Sequence, residues 1–294
     1  MSFLDLYTSP ALTFAGTECE FEDAEYVIVG VPLDYTSSYR PGSRFASLAI
    51  REASHYIEGF SFRTKRSISD LKIHDAGDLH VDADIEETLR RLDLVTSEIL
   101  NKGKMPVLIG GEHTVTLGST RSIKDFAVLC FDAHLDLRDE YMKRKICHAT
   151  VMRRVHEIEN LRKIVMIGTR AACRDEIAYA EKRGINFISS YEVNHESIED
   201  ISRRINNLLE DENAVYLSLD LDVLDPAYAP AVQTPEPEGI STYQLLEIIS
   251  KINLKDLVAF DVVEVTPQYD SGVTATVAAK TIFEVLSQIN RSKN

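Results

Sequence analysis

Short apolar runs punctuate this chain at residues 26–31, 71–74, 105–109, 126–131, 164–167, 185–188, 215–219 and 257–262. Runs of this length without polar alternation read as strands covered on both faces. Between many of them, apolar residues recur three and four positions apart. In 85–100, Leu89, Leu92, Val95, Ile99 and Leu100 form one helical stripe, and 198–209, 243–252 and 274–289 carry the same periodicity. Strands alternating with helices predict an α/β class chain: a three-layer α/β/α arrangement with a mainly parallel sheet of about eight strands. No linker-like break, repeat or low-complexity tract interrupts the pattern, so residues 1–294 are expected to form a single domain.

Composition narrows the partners. The 47 acidic against 32 basic residues give a net charge of −15, which argues against nucleic acid and anionic membrane as partners. The same field suits a cationic ligand, although solubility alone explains it equally well. The hydrophobic share of 44% and charged share of 27% are those of a soluble globular protein. The first residues lack a basic segment followed by an apolar one, and no apolar run reaches membrane-spanning length. Cys19, Cys130, Cys147 and Cys173 form no CxxC pair, which fits free thiols in a reducing compartment. A cytoplasmic location is the expectation.

In a parallel sheet, ligands gather beyond the carboxyl ends of the strands, and the polar motifs of this chain fall there. Gly110-Gly111-Glu112-His113 follows the run 105–109, Asp132 follows 126–131, Asp220 follows 215–219, and Glu264 lies just past 257–262. Two of these motifs alternate: Asp132-Ala133-His134-Leu135-Asp136, and Asp220-Leu221-Asp222 within 218–226. Residues two apart in extended chain share a face, so Asp132, His134 and Asp136 are expected to converge, as are Asp220 and Asp222. Carboxylates so crowded repel one another unless positive charge sits among them. With His113 they form a mixed oxygen and imidazole set without thiolate. That set suits a pair of divalent ions, Mn²⁺ best, with Zn²⁺, Co²⁺ or Fe²⁺ as substitutes. Turn caps or salt bridges account for any single aspartate, but poorly for the whole set.

These motifs, in this order and across nearly the whole chain, closely resemble the signatures of the ureohydrolase (arginase/agmatinase) superfamily, nearest to archaeal-type agmatinases. The resemblance implies an arginase-like fold and a binuclear Mn²⁺ centre, two ions per subunit. His113, Asp132, Asp136 and Asp220 would hold one ion, and Asp132, His134, Asp220 and Asp222 the other, with Asp132 and Asp220 bridging. It further implies hydrolysis of a guanidino compound by a hydroxide bridging the metals. Glu264 matches the position that grips the guanidinium, by charge-assisted hydrogen bonds. His148 matches the loop histidine that shuttles a proton, although many relatives have glycine where Ala149 stands. Cys147 beside it suggests a Cys–His nucleophile, which the metal set makes redundant. Asp225, before Pro226, reads as a turn residue.

Substrate choice is written in loops. Segment 137–146 lacks the Asn and Ser typical of arginases and looks like an agmatinase loop, as do 30–34 and 39–45. Asp139 and Glu140 are candidate substrate-binding residues for the distal ammonium of a small cationic guanidino substrate. The leading expectation is agmatine, cleaved to putrescine and urea. N1-aminopropylagmatine, guanidinobutyrate, arginine or a formimino compound are alternatives, Glu238 standing where many relatives have glycine. A catalytically silent polyamine-binding relative is the rival of a different class, disfavoured by the intact ligand set. The resemblance also implies a homotrimer or homohexamer.

Overall fold

The computed structural model describes residues 2–293. Its strands are β1 (Thr8–Ser9), β2 (Tyr26–Gly30), β3 (Ile73–Leu79), β4 (Met105–Ile109), β5 (Phe126–Phe131), β6 (Leu161–Thr169), β7 (Asn186–Ser189), β8 (Val215–Asp220) and β9 (Leu257–Val263). The helices are α1 (Phe3–Tyr7), α2 (Ala46–Ser54), α3 (Ile85–Asn101), α4 (Val115–Thr120), α5 (Val151–His156), α6 (Arg174–Arg183), α7 (Ser190–His195), α8 (Ile198–Leu208), α9 (Thr242–Lys251) and α10 (Val273–Lys293). The described strands make one nine-stranded sheet in the order β1-β3-β2-β4-β9-β8-β5-β6-β7. The eight apolar runs supply the eight parallel strands. The ninth is the two-residue β1, which pairs antiparallel with β3 at the edge.

Side chains of the central strands alternate between two cores, as the pleat requires. Ile28, Val107, Leu129, Leu217 and Phe260 pack on one face with Ile248 of α9 and Phe283 of α10. On the other face, Val29 and Leu108 meet Leu92 and Val95 of α3, while Val128 and Tyr216 meet Met152 of α5. Helices therefore cover both sides of the sheet. Helix α3 begins where Asp84 accepts the Glu86 N–H, and it buries the Leu89, Leu92, Val95 and Ile99 stripe.

Strand β3 runs past its apolar opening through Asp75 and Asp78. Arg51 of α2, with a fully buried side chain, makes this possible. Its Nε and Nη2 lie 2.9 and 2.8 Å from the two oxygens of Asp75, and its Nη1 lies 2.6 Å from Asp78. A paired, bidentate guanidinium lets two carboxylates sit in a sheet that neither could enter alone.

Strand β9 joins the two halves of the sheet, pairing with β4 on one side and β8 on the other. The chain enters β4, then crosses to β5 and returns through β8 to β9. The carboxyl ends of β4, β9, β8 and β5 thus stand side by side around the reversal in strand order, where a parallel sheet opens a crevice. No helix among the described residues is long and apolar enough to cross a membrane.

Candidate active site

The crevice begins at the Gly110-Gly111 turn. Both glycines have positive φ, +81° and +85°, and a Cβ on Gly111 would lie 2.4 Å from the Val31 carbonyl oxygen. The turn folds the chain over β9: Gly110 N–H donates to Val262 O (2.8 Å), and Glu264 N–H donates to Gly111 O (2.9 Å). His113 N–H in turn donates to Glu264 Oε1 at 2.5 Å.

Beneath the His113 ring lies a buried hydroxyl network. Ser218 Oγ donates to Asp261 Oδ1 (2.7 Å), and the Thr116 and Tyr216 hydroxyls donate to Asp261 Oδ2 (2.6 Å each). With its proton committed, Ser218 Oγ accepts from His113 Nε2–H at 3.1 Å. That choice aims the other ring nitrogen, Nδ1, at three carboxylate oxygens: Asp136 at 3.1 Å, Asp132 at 3.2 Å and Asp220 at 3.3 Å. Two ligands about 2.1 Å from a shared ion, at right angles, lie about 3 Å apart. The spacing is that of one coordination sphere.

Asp132 faces both ways. Its Oδ2 points to His113, while its Oδ1 lies 3.5 Å from His134 Nδ1, which is itself 3.0 Å from Asp222 Oδ2. Asp132 Oδ2 is buried and has no hydrogen-bond partner among the described residues. An orphaned carboxylate oxygen is costly to bury, and a cation resolves it. Asp132, His134 and Asp222 offer ligand atoms within reach of one ion.

The convergence does not come from simple strand alternation. Asp220 ends β8, and residues 221–223 turn as a 3₁₀ helix that Asp220 caps by accepting the Asp222 N–H at 2.9 Å. Asp136 sits at φ +50°, outside any strand. Short turns and a left-handed residue aim these carboxylates inward, so the expected residues gather by a different geometry.

Electrostatics reflect the crowding. Burial and the Asp132 charge push the Asp136 carboxyl up to about 7. Burial, then Asp222, Asp132 and Glu264, push Asp220 well above the usual carboxylate range. Glu264, held at φ +68°, is pushed well up by burial despite the His113 N–H it accepts. Each shift marks a place where positive charge is wanted.

Above this floor opens a cavity of about 430 Å³. His113, His134, Asp136, Asp220, Asp222 and Glu264 line its base, whereas Asp132 is sealed beneath. His148 stands in the wall with its Nε2 3.2 Å from Ser38 Oγ. Burial, then the charges of His134 and His113, hold its imidazole down at about 4, so it is neutral at neutral pH.

Asp139 and Glu140 do not line the cavity. Asp139 is exposed, and its carboxylate pairs with Arg154 at 2.7 Å. Two acids stand in the wall instead: Glu176, whose carboxylate accepts the Leu137 and Cys173 N–H groups, and Glu236, whose charge acts on the Arg170 guanidinium. Arg170, also in the wall, donates to the carbonyls of Asp222, Val223, Glu236 and Pro237 at 2.7–3.1 Å, tying the loop to the floor. Asp225 accepts from Ala227 and Gly239 N–H groups and shapes the turn between. Glu238 has φ +63°, a conformation that glycine adopts freely and glutamate does not. Arg170, Glu112 and Asp261 escaped the sequence reading. Arg170 had a signal, lying just past the run 164–167; Glu112 sat inside a motif read for its histidine.

A sequence model of the arginase family matches residues 24–287. An agmatinase of Pyrococcus horikoshii is 33% identical over 97% of this chain and 99% of its own. An N1-aminopropylagmatine ureohydrolase of Thermococcus kodakarensis is 33% identical over 95% of each. The crystal structure of an agmatine ureohydrolase of Thermoplasma volcanium superposes with a TM-score of 0.90 at 34% identity, covering 97% of this chain and 96% of that one.

Proposed function

Because this chain belongs to the arginase family, we propose that it hydrolyses the guanidinium of agmatine to putrescine and urea, using two Mn²⁺ ions per subunit. One observation carries the reading: the two oxygens of the buried Asp132 face two different histidines at the base of a cavity that also presents Glu264. His113, Asp132, Asp136 and Asp220 would hold one ion, and Asp132, His134, Asp220 and Asp222 the other. When bound, the ions supply the positive charge that ionises water for attack on a poorly electrophilic guanidine carbon.

The remaining work falls to the chain. Glu264 Oε1 is occupied by the His113 N–H, which leaves Oε2 to grip the guanidinium by a charge-assisted hydrogen bond. His148, neutral in the wall, relays a proton to the leaving amine. Glu236, in the cavity wall, receives the distal ammonium, the part expected of Asp139 and Glu140. The carbonyls bound by Arg170 keep that wall in register with Asp222.

N1-aminopropylagmatine is the second reading, supported by a relative acting on it at 33% identity. A cytoplasmic homotrimer or homohexamer belongs to the same proposal; free cysteines support the compartment, and exposed Leu48 of α2 with exposed Phe45 and Tyr56 just beyond its two ends support a subunit contact. The test is metal analysis of the purified chain with a competition assay of agmatine, N1-aminopropylagmatine, guanidinobutyrate and arginine. Expected are two Mn²⁺ per chain and preferred urea release from agmatine. A chain that binds Mn²⁺ and polyamine yet releases urea from none of the four would be a silent relative.

A further inference from the structure

Glu112, between Gly111 and the ligand His113, points away from the metal ligands. Its fully buried carboxylate receives four donors, each at 2.7 Å. Oε2 accepts the Tyr35 and Thr36 N–H groups, and Oε1 accepts the Thr36 and Thr114 hydroxyls. An ionised carboxylate with its acceptor sites so filled gives no proton back.

Thr36 Oγ1 therefore spends its single proton on Glu112 and can only accept elsewhere. Two groups of His148 reach it: the backbone N–H at 3.1 Å and the ring Nδ1, also at 3.1 Å. The first is a donor by nature. The second must be a donor too, since a bare Nδ1 would set two lone pairs against each other in a buried place. The opposite arrangement, with the Thr36 proton turned to Nδ1, would leave Oγ1 facing the Glu112 carboxylate at 2.7 Å with nothing between them. The Tyr141 ring meets the His148 ring edge-on at 5.9 Å and limits its tilt.

We infer that Thr36 and Glu112 are positioning residues that lock His148 in the Nδ1–H tautomer, so that the unprotonated Nε2, beside Ser38 Oγ, is the atom through which His148 exchanges protons. Ser38 is exposed at the cavity rim, with its hydroxyl between Nε2 and the solvent side. A proton taken up at Nε2 gives an imidazolium, and its release to an acceptor in the cavity restores the neutral ring. Nδ1–H never leaves Thr36. The tautomer stands on hydrogen-bond valence alone; only its effect on turnover rests on the proton-transfer role proposed for His148.

The test is nitrogen-15 NMR of histidine-labelled protein, stripped of metal and then loaded with diamagnetic Zn²⁺. The His148 signals are identified by their loss in His148→Gln. The expected result is a protonated Nδ1 and an unprotonated Nε2 in both forms. Thr36→Val, which keeps shape and loses the oxygen, shifts the ring toward Nε2–H. With Mn²⁺ it lowers kcat tenfold to a hundredfold, part of the roughly 10²–10⁴ that a positioned acid–base group contributes, while KM stays within twofold. Thr36→Ser restores both readings. A protonated Nε2 in the unmodified chain overturns the inference, whether or not Thr36→Val folds. So does a tautomer that Thr36→Val leaves unchanged. If the tautomer is as stated but neither His148→Gln nor Thr36→Val alters kcat, the lock stands and the proton role of His148 falls.

Discussion

On the floor of the cavity, several of the clustered side chains have a second bond that fixes them. His113 leans on Ser218, Asp132 accepts the His134 N–H, and Asp222 accepts the Ala133 N–H. The wall is built otherwise. Several of its members, Ser38, Arg170 and Glu236 among them, come from connecting segments, and Glu238 in the same loop as Glu236 is held in a left-handed conformation. Under the proposed function the difference divides the labour: pre-set dipoles and ligands below would perform a fixed reaction, and loop-borne side chains above would choose what enters.

The sharpest way to break the floor is Asp132→Ala, which removes the carboxylate that faces both histidines. The chain is expected to lose bound metal, seen by atomic emission, and urea release falls by at least about 10³-fold. Full metal content in this variant would sink the two-ion reading. Next in size is Asp261→Ala, which touches no ligand and strands the hydroxyls of Thr116, Tyr216 and Ser218. Each buried unpaired group costs about 1–3 kcal/mol, so urea denaturation should show a loss of about 3 kcal/mol or more. Metal affinity should weaken by about 10–100-fold, as for other groups that orient a ligand. Unchanged affinity would mean the floor does not need its underpinning.

Wall variants should leave the metal in place. Glu236→Gln is expected to raise KM for agmatine about tenfold, or about 1.4 kcal/mol, with kcat nearly unchanged. Asp139→Asn, at an exposed pair, should move neither constant beyond about twofold. Reversed ranks for these two would return the tail-binding role to the outer loop.

The sheet was legible because most of its strands read as short, mainly apolar runs; β1 was not, being two residues long without an apolar signature. Only the apolar start of β3 was visible, since Asp75 and Asp78 enter the sheet through a partner, Arg51, that lies 24 and 27 residues away. The residues that gather at the cavity base were legible by type and position near strand ends, although turns rather than pleats bring Asp136 and Asp222 inward. Arg170 and Glu112 were harder to see. Their roles depend on which segments meet in space, which residue spacing does not encode.

The place of β9 has a consequence for how the protein comes into being. This strand is the last to be synthesised, yet it sits in the middle of the sheet. Until residues 257–264 leave the ribosome, the two half-sheets have no common seam, Ser218 has no Asp261 beneath it, and His113 has no Glu264 to take its N–H. Such long-range pairing is slow to form. The nascent chain carries all its metal-facing aspartates and histidines early, but acquires the frame that aims them only at closure. Selective metal uptake is therefore tied to completed folding, and a chain arrested before β9 would present scattered acids rather than a catalyst.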